Sequence, residues 1–245
     1  MTIISVKADI SGALAKLALA TDQVPYATAL ALTRTAQFVQ KELASEMDKA
    51  FDRPTPFTKN GMRVVPATKS RLAASVDFKD RQAKYLTPEV YGGPRGTKGF
   101  ERLLQGAGIL PSGWYAVPAQ GVHMDRYGNV PGGTLTKILS QLNALKDSLQ
   151  HESAEMRRRR NLTRQQGRYF AVIPDRPARN RLKPGIYERL GTTRIARVLP
   201  IFMFVRQAPT YRERYNFRQL GEIKARQRFP TEFEAAAETA MRTRR

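Results

Sequence analysis

VPYATALALTRTAQFVQKELASEMDKAF, residues Val24–Phe51, decides how the rest of the chain is read. Val24, Ala27, Ala31, Thr35, Phe38, Val39, Leu43, Met47 and Ala50 recur at helical spacing, so one face is apolar over seven turns. Thr21 or Asp22 offers an N-cap, and Pro25 falls in the first turn, where its missing N–H costs little. Pro54 and Pro56 stop the helix.

Two strand-like runs follow, Met62–Ala67 and Leu72–Phe78. The second alternates, with Leu72, Ala74, Val76 and Phe78 on one face, which suits an antiparallel hairpin with one wet face. Gly92–Gly99 lacks the spacing of a phosphate-binding loop and reads as a flexible loop. A short helix is expected at Phe100–Ala107, closed by Gly108, and a short strand at Trp114–Val117. The loop region 92–133 as a whole reads as an arm able to reach a neighbour. Thr134 is expected to cap an amphipathic helix whose stripe is Leu135, Ile138, Leu139, Leu142, Leu145 and Leu149. Strands are expected at Tyr169–Ile173, Ile186–Leu190 and Ile195–Val205, with Pro200 splitting the last or putting it at an edge. Asn216 with Gln219 resembles a capping box opening a C-terminal helix, kinked at Pro230, and Thr231 with Glu234 would cap a second segment. Residues 1–20 read as locally helical, through Ala13, Leu14, Leu17 and Ala18.

The order gives an α+β fold: a long N-terminal helix, a small antiparallel sheet and an amphipathic C-terminal helix, with a helical and loop insertion. The expected divisions are 1–91 for the first helices and hairpin, 92–168 for the insertion, and 169–245 for strands and a helix that complete the core.

Charge is the second guide. Residues 157–245 hold 23 Lys+Arg against 7 Asp+Glu, whereas residues 1–156 hold 19 against 14. Arg157, Arg158, Arg159 and Arg160 stand in a row, followed by Arg164, Arg168, Arg176, Arg179 and Arg181, with only Asp175 opposing them. Such a cluster repels itself unless something negative lies near. Three readings stay open: a solvated basic loop, docking on an acidic protein surface, and contact with a nucleic-acid backbone without sequence readout. A second candidate surface is the apolar run at 198–206 followed by Tyr/Arg alternation. Phe204, Arg206, Tyr211, Arg212, Arg214 and Tyr215 have the composition of a subunit interface.

Signs of chemistry are sparse. The chain has no cysteine, which excludes disulfides, zinc thiolates and a thiol nucleophile. Its two histidines, His123 and His151, read as surface or structural, and Asp77/Asp80 and Glu152/Glu155 read as solvated faces and helix ion pairs. The expectation is a non-enzyme with no metal and no cofactor. A nucleic-acid enzyme using His123 and Asp125 is the least favoured alternative. No spanning segment and no secretory leader are evident, so the chain is expected to be soluble and intracellular when made.

The ends of the chain resemble the bacteriophage tail-completion proteins, the minor tail protein Z-like group of head–tail joining proteins. The resemblance rests on Val24-Pro-Tyr-Ala-Thr-Ala-Leu-Ala-Leu-Thr-Arg-Thr-Ala36, on Phe51-Asp-Arg-Pro-Thr-Pro-Phe-Thr58, on Val198–Arg206 and on the final helix. It covers roughly residues 20–80 and 195–245 and includes no active-site motif. It implies a structural virion protein of the neck or upper tail, assembled in the host cytoplasm. Such a protein forms a homo-oligomeric ring that joins the tail to connector or portal proteins around the DNA channel. The alternative is a free-standing, sequence-nonspecific nucleic-acid-binding protein.

Overall fold

The computed structural model describes residues 3–6, 23–162, 167–174, 182–191 and 197–242. It is a mixed α+β structure that divides into two compact units, one formed by the two chain ends (1–93 with 211–245) and one by the middle (94–210).

In the first unit the long helix α1 (Val24–Ala50) forms as its stripe requires, and Ala27, Ala31, Leu32, Ala36, Val39, Leu43 and Met47 are buried along it. Gln23 stands at its N-cap without a capping bond, its Nε2 donating to the Ala240 carbonyl at 3.3 Å, and Pro25 lies in the first turn. The caps expected at Thr21 and Asp22 lie outside the described residues, as does most of the helix expected over 1–20. Within that stretch Ile3–Val6 is a strand, β1, because it pairs antiparallel with β3 (Ala74–Phe78). β2 (Met62–Val65) pairs on the other side of β3, giving the antiparallel order β1-β3-β2. The second face of β3 is not wet. Asp77 is 6% exposed, and burial raises its carboxyl pKa against the lowering pull of Arg63 opposite. Leu72, outside the strand, is exposed.

The apolar surface that α1 needs comes from the last helix, α7 (Phe217–Arg242), which packs along it. Ala225, Phe229, Phe233, Ala236, Ala237 and Ala240 are buried there. The alanines on both helices allow close approach, and the phenylalanines fill the space beside them. Asn216 Nδ2 donates to Gln219 Oε1 at 2.6 Å at the helix start. The helix then runs unbroken through Pro230. The cap expected at Thr231 is therefore not used, because continuous burial from Phe229 to Ala240 holds the backbone helical. Phe51, Phe78, Tyr215 and Phe217 form an aromatic cluster with centroids 4.5–6.4 Å apart. Between α2 (Pro56–Lys59) and the glycines lies α3 (Asp80–Tyr91), a helix the apolar pattern does not reveal.

The second unit holds a four-stranded antiparallel sheet in the order β5-β8-β7-β6, formed by Tyr115–Pro118, Arg197–Val205, Gly185–Leu190 and Arg168–Val172. The strands expected to complete the core of the chain ends thus belong with the middle, since β8 pairs with β5 and β7. The boundary at 169 is corrected accordingly to 210. Pro200 neither splits β8 nor puts it at an edge. The register shifts opposite Ile186/Tyr187, so a bulge accommodates the missing N–H. The Pro200 carbonyl accepts from the Gly121 amide at 3.0 Å.

One face of this sheet is covered by α4 (Gly99–Gly106) and α5 (Gly132–Gln141), which bury Leu104, Ile138 and Leu139 with Ile186, Phe202 and Phe204. Thr134 lies inside α5, which Pro131 begins and Leu142 ends. Leu145 still packs on this core, but Leu149 falls in a 3-10 turn (Ser148–Gln150) and is 92% exposed. The short strands β4 (Gly93–Pro94) and β9 (Thr210–Tyr211) pair with each other.

The region 92–133 is not a free arm, because Leu104, Ile109, Leu110 and Ala116 are core. Nor is Gly92–Gly99 an unanchored loop, for Arg95 within it is buried. Its guanidinium donates to both Glu101 carboxylate oxygens at 2.8 and 2.6 Å. Glu101 also accepts from the Lys98 and Ala116 amides at 2.7 and 2.8 Å. Burial opposes its charge, but these donors outweigh burial and hold the carboxyl below the usual carboxylate range.

Candidate nucleic-acid or partner interface

The arginine row folds as helix α6 (Ala154–Leu162). Its described side chains, from Ala154 to Arg159, are all exposed, Met156, Arg157, Arg158 and Arg159 among them. Arg157 Nε lies 3.7 Å from Glu152, and Arg159 pairs with Glu155 one turn back at 2.6 Å. Arg160 sits in the helix, but its side chain lies outside the described residues, as do Arg164, Arg176, Arg179 and Arg181.

Arg168 opens β6 and is exposed. The antiparallel register sets it directly opposite Arg189 of β7, and sets Phe170 opposite Tyr187. The rings of that second pair are stacked, with centroids 5.7 Å apart. Side chains alternate across a sheet, so Arg168, Arg189, Phe170 and Tyr187 share one face. Tyr169 and Glu188, paired in the same register, take the other face. There the Tyr169 hydroxyl is pushed up to about 12, first by burial and then by the charge and hydrogen bond of Glu188. Gly167 packs so tightly on the Glu188 carboxylate that a Cβ would collide with it. The one acid of this hairpin is thus turned away from the arginine pair. Beside β6 a cleft of about 320 Å³ is lined by Gln141, Asn143, Glu152, Arg157, Arg168 and Phe170, among others. The structure therefore brings Arg157 and Arg168 to one cleft, and the strand register sets Arg189, which sequence spacing alone did not single out, opposite Arg168.

The second candidate surface loses two of its six residues, Phe204 and Tyr215, to the cores. Phe204 is 6% exposed and belongs to the core of the second unit. Tyr215 is core in the first unit. Its hydroxyl donates to the Leu43 carbonyl at 2.8 Å, and burial drives its pKa above the ordinary tyrosine range. Arg214 forks onto Glu89 at 3.0 and 3.1 Å. Arg206 stacks over Trp114 at 5.0 Å. Arg212 is exposed, and Tyr211 is half-buried on β9. Interface composition and core composition overlap in aromatic residues, and here the core took them.

The remaining polar groups serve local structure. Asp125 accepts from the Tyr127 and Asn129 amides in its own turn, and a His151 ring nitrogen is bonded to the Leu145 carbonyl at 2.9 Å. Among the described residues no group of three or more His, Asp or Glu is placed to hold a metal ion. Among them, too, no helix is long and apolar enough to cross a membrane. Comparison with family models, curated proteins and solved structures finds no match to the chain.

Proposed function

We propose that the chain is a structural protein of a phage neck or upper tail. In this reading it forms a homo-oligomeric ring that joins the tail to connector or portal proteins around the DNA channel. The observation that carries this is the charge imbalance of the second unit's sequence. Residues 94–210 hold 20 Lys+Arg against 7 Asp+Glu. Of those seven, Glu101 is buried on Arg95, Glu188 faces Tyr169 and Asp125 is engaged in its own turn. A surplus of this kind holds a polyanion without reading sequence, or docks on acidic neighbours.

The resemblance of the chain ends supports the virion context. Two of the segments that carry it, 24–36 and 51–58, fall in the same compact unit as the final helix. Ring formation would cover apolar side chains now exposed on that unit, such as Phe57, Tyr85 and Tyr91. The alternative, a free-standing nucleic-acid binder, draws on the same arginines but needs no partner. The deciding experiment removes the chain from a phage that encodes it. Heads and tails that accumulate unjoined support the proposal, and joined infectious particles without the chain refute it.

A further inference from the structure

We infer that the Arg168–Arg189 pair, with Arg157 across the cleft, is a site for the phosphodiester backbone of nucleic acid. This deepens the proposed function by naming the ligand class and the residues that hold it.

Like charges directly opposite on paired strands destabilise a sheet. Arg168 and Arg189 are set that way by the β6–β7 register. Among the described residues neither has an acidic side chain within ion-pair distance. The nearest acid in sequence, Glu188, is held on the other face by Tyr169 and by the close packing of Gly167. The strand pair thus repels itself with its own carboxylate turned away, and the one acid in the cleft, Glu152, lies 3.7 Å from Arg157, so the pair is complementary to an anion supplied from outside. Both arginines stand on paired strands, so the register fixes the spacing at which their side chains leave the sheet. Arg157 reaches the same cleft from α6.

The surroundings favour phosphate over a protein carboxylate. The outward amide of Tyr169 is already taken by the Gln141 side chain at 2.8 Å, so the middle of the β6 edge lacks a donor that an added peptide strand would need. Phe170, half-buried and next to Arg168 on the same face, offers apolar contact to a sugar or base edge. Binding is independent of sequence, because no side chain here is placed to read a base pair.

The test uses the full-length chain and a labelled duplex oligonucleotide, titrated by fluorescence anisotropy across a salt series. A single-stranded oligonucleotide and polyglutamate are run in parallel. Each phosphate contact contributes roughly 0.9 to the slope of log affinity against log salt for duplex DNA. The double variant Arg168→Gln/Arg189→Gln is expected to lower that slope by about 2. The control Arg81→Gln/Lys84→Gln, which removes two exposed charges on α3, is expected to leave it nearly unchanged. The pair variant is also expected to melt at a higher temperature than the wild type, since the repulsion is gone. A fold-retaining Arg168→Lys/Arg189→Lys variant keeps most of the slope.

Equal slopes for wild type and the pair variant would overturn the inference, as would a lower melting temperature in the pair variant. Binding to polyglutamate but to neither oligonucleotide would overturn it in favour of an acidic protein partner. Incorporation of the pair variant into particles is scored separately, so the virion reading can survive the failure of this site, or fail without it.

Discussion

Replacing Glu101 by Gln tests whether the buried ion pair organises the second unit. Glu101 is 1% exposed and accepts four hydrogen bonds, two from Arg95 and one each from the Lys98 and Ala116 amides. Glutamine has one acceptor oxygen where Glu101 has two, so it turns an NH2 toward one amide and one Arg95 N–H, and it leaves the buried guanidinium without its counter-charge. Breaking a buried pair in this way costs about 3–5 kcal/mol, against a total stability of roughly 5–15 kcal/mol for a domain. For a unit of this size that is a fall of upwards of about 12 °C in melting temperature. Trp114 is the only tryptophan, and it packs on the core of this unit, so its fluorescence during urea unfolding reports the unit directly.

The pH dependence adds a second readout. The folded carboxyl lies below its ordinary value, so its contribution is fully present above the unfolded pKa of about 4.3 and is lost as pH falls through the folded value. The gap between wild type and Glu101→Gln should therefore be full at pH 7 and narrow below about pH 4. A loss under about 1 kcal/mol, or a gap of the same size at both pH values, would refute the reasoning.

Thr35 is fully buried on α1, and among the described residues its hydroxyl is the one buried side-chain polar atom without a hydrogen-bond partner. Thr35→Val should raise stability by about 1 kcal/mol in denaturant titration, and a loss would show that the hydroxyl has a hidden partner. Tyr215→Phe should cost about 1 kcal/mol by the same method, because a buried hydrogen bond to the Leu43 carbonyl is lost. Replacing Arg157, Arg158, Arg159 and Arg160 together by Ser should leave the melting temperature within about 2 °C of wild type while weakening DNA binding. Unfolding of that variant at ordinary temperature would contradict a helix whose described side chains are all exposed.

What the sequence discloses follows from how regular each element is. The stripes of α1 and α7 are readable because nearly every buried position is apolar at helical spacing. α3 is not, since Gln82 and Glu89 stand among its four buried positions and Pro88 sits inside it. Buried polar residues break the apolar period. Arg95 is hidden for a related reason: its glycine-rich surroundings suggest solvent, whereas its partner is six residues on. The one available signal was Glu101 at the third position of α4, where its carboxylate takes the Lys98 amide.

Thr231 and Glu234 show the converse error. A cap pattern is a local preference, and packing along α1 overrides it. For the candidate site, the row at 157–160 was legible as charge, but the pairing of Arg168 with Arg189 depends on strand register, which no single-sequence pattern fixes.

The most direct test of the structural virion reading is imaging of the purified chain by negative-stain microscopy, with mass photometry alongside, at low and high salt. Closed rings, formed by the chain alone or on adding a portal or tail partner, are the predicted result. A monomer that ignores every such partner and binds duplex DNA unaided would contradict it.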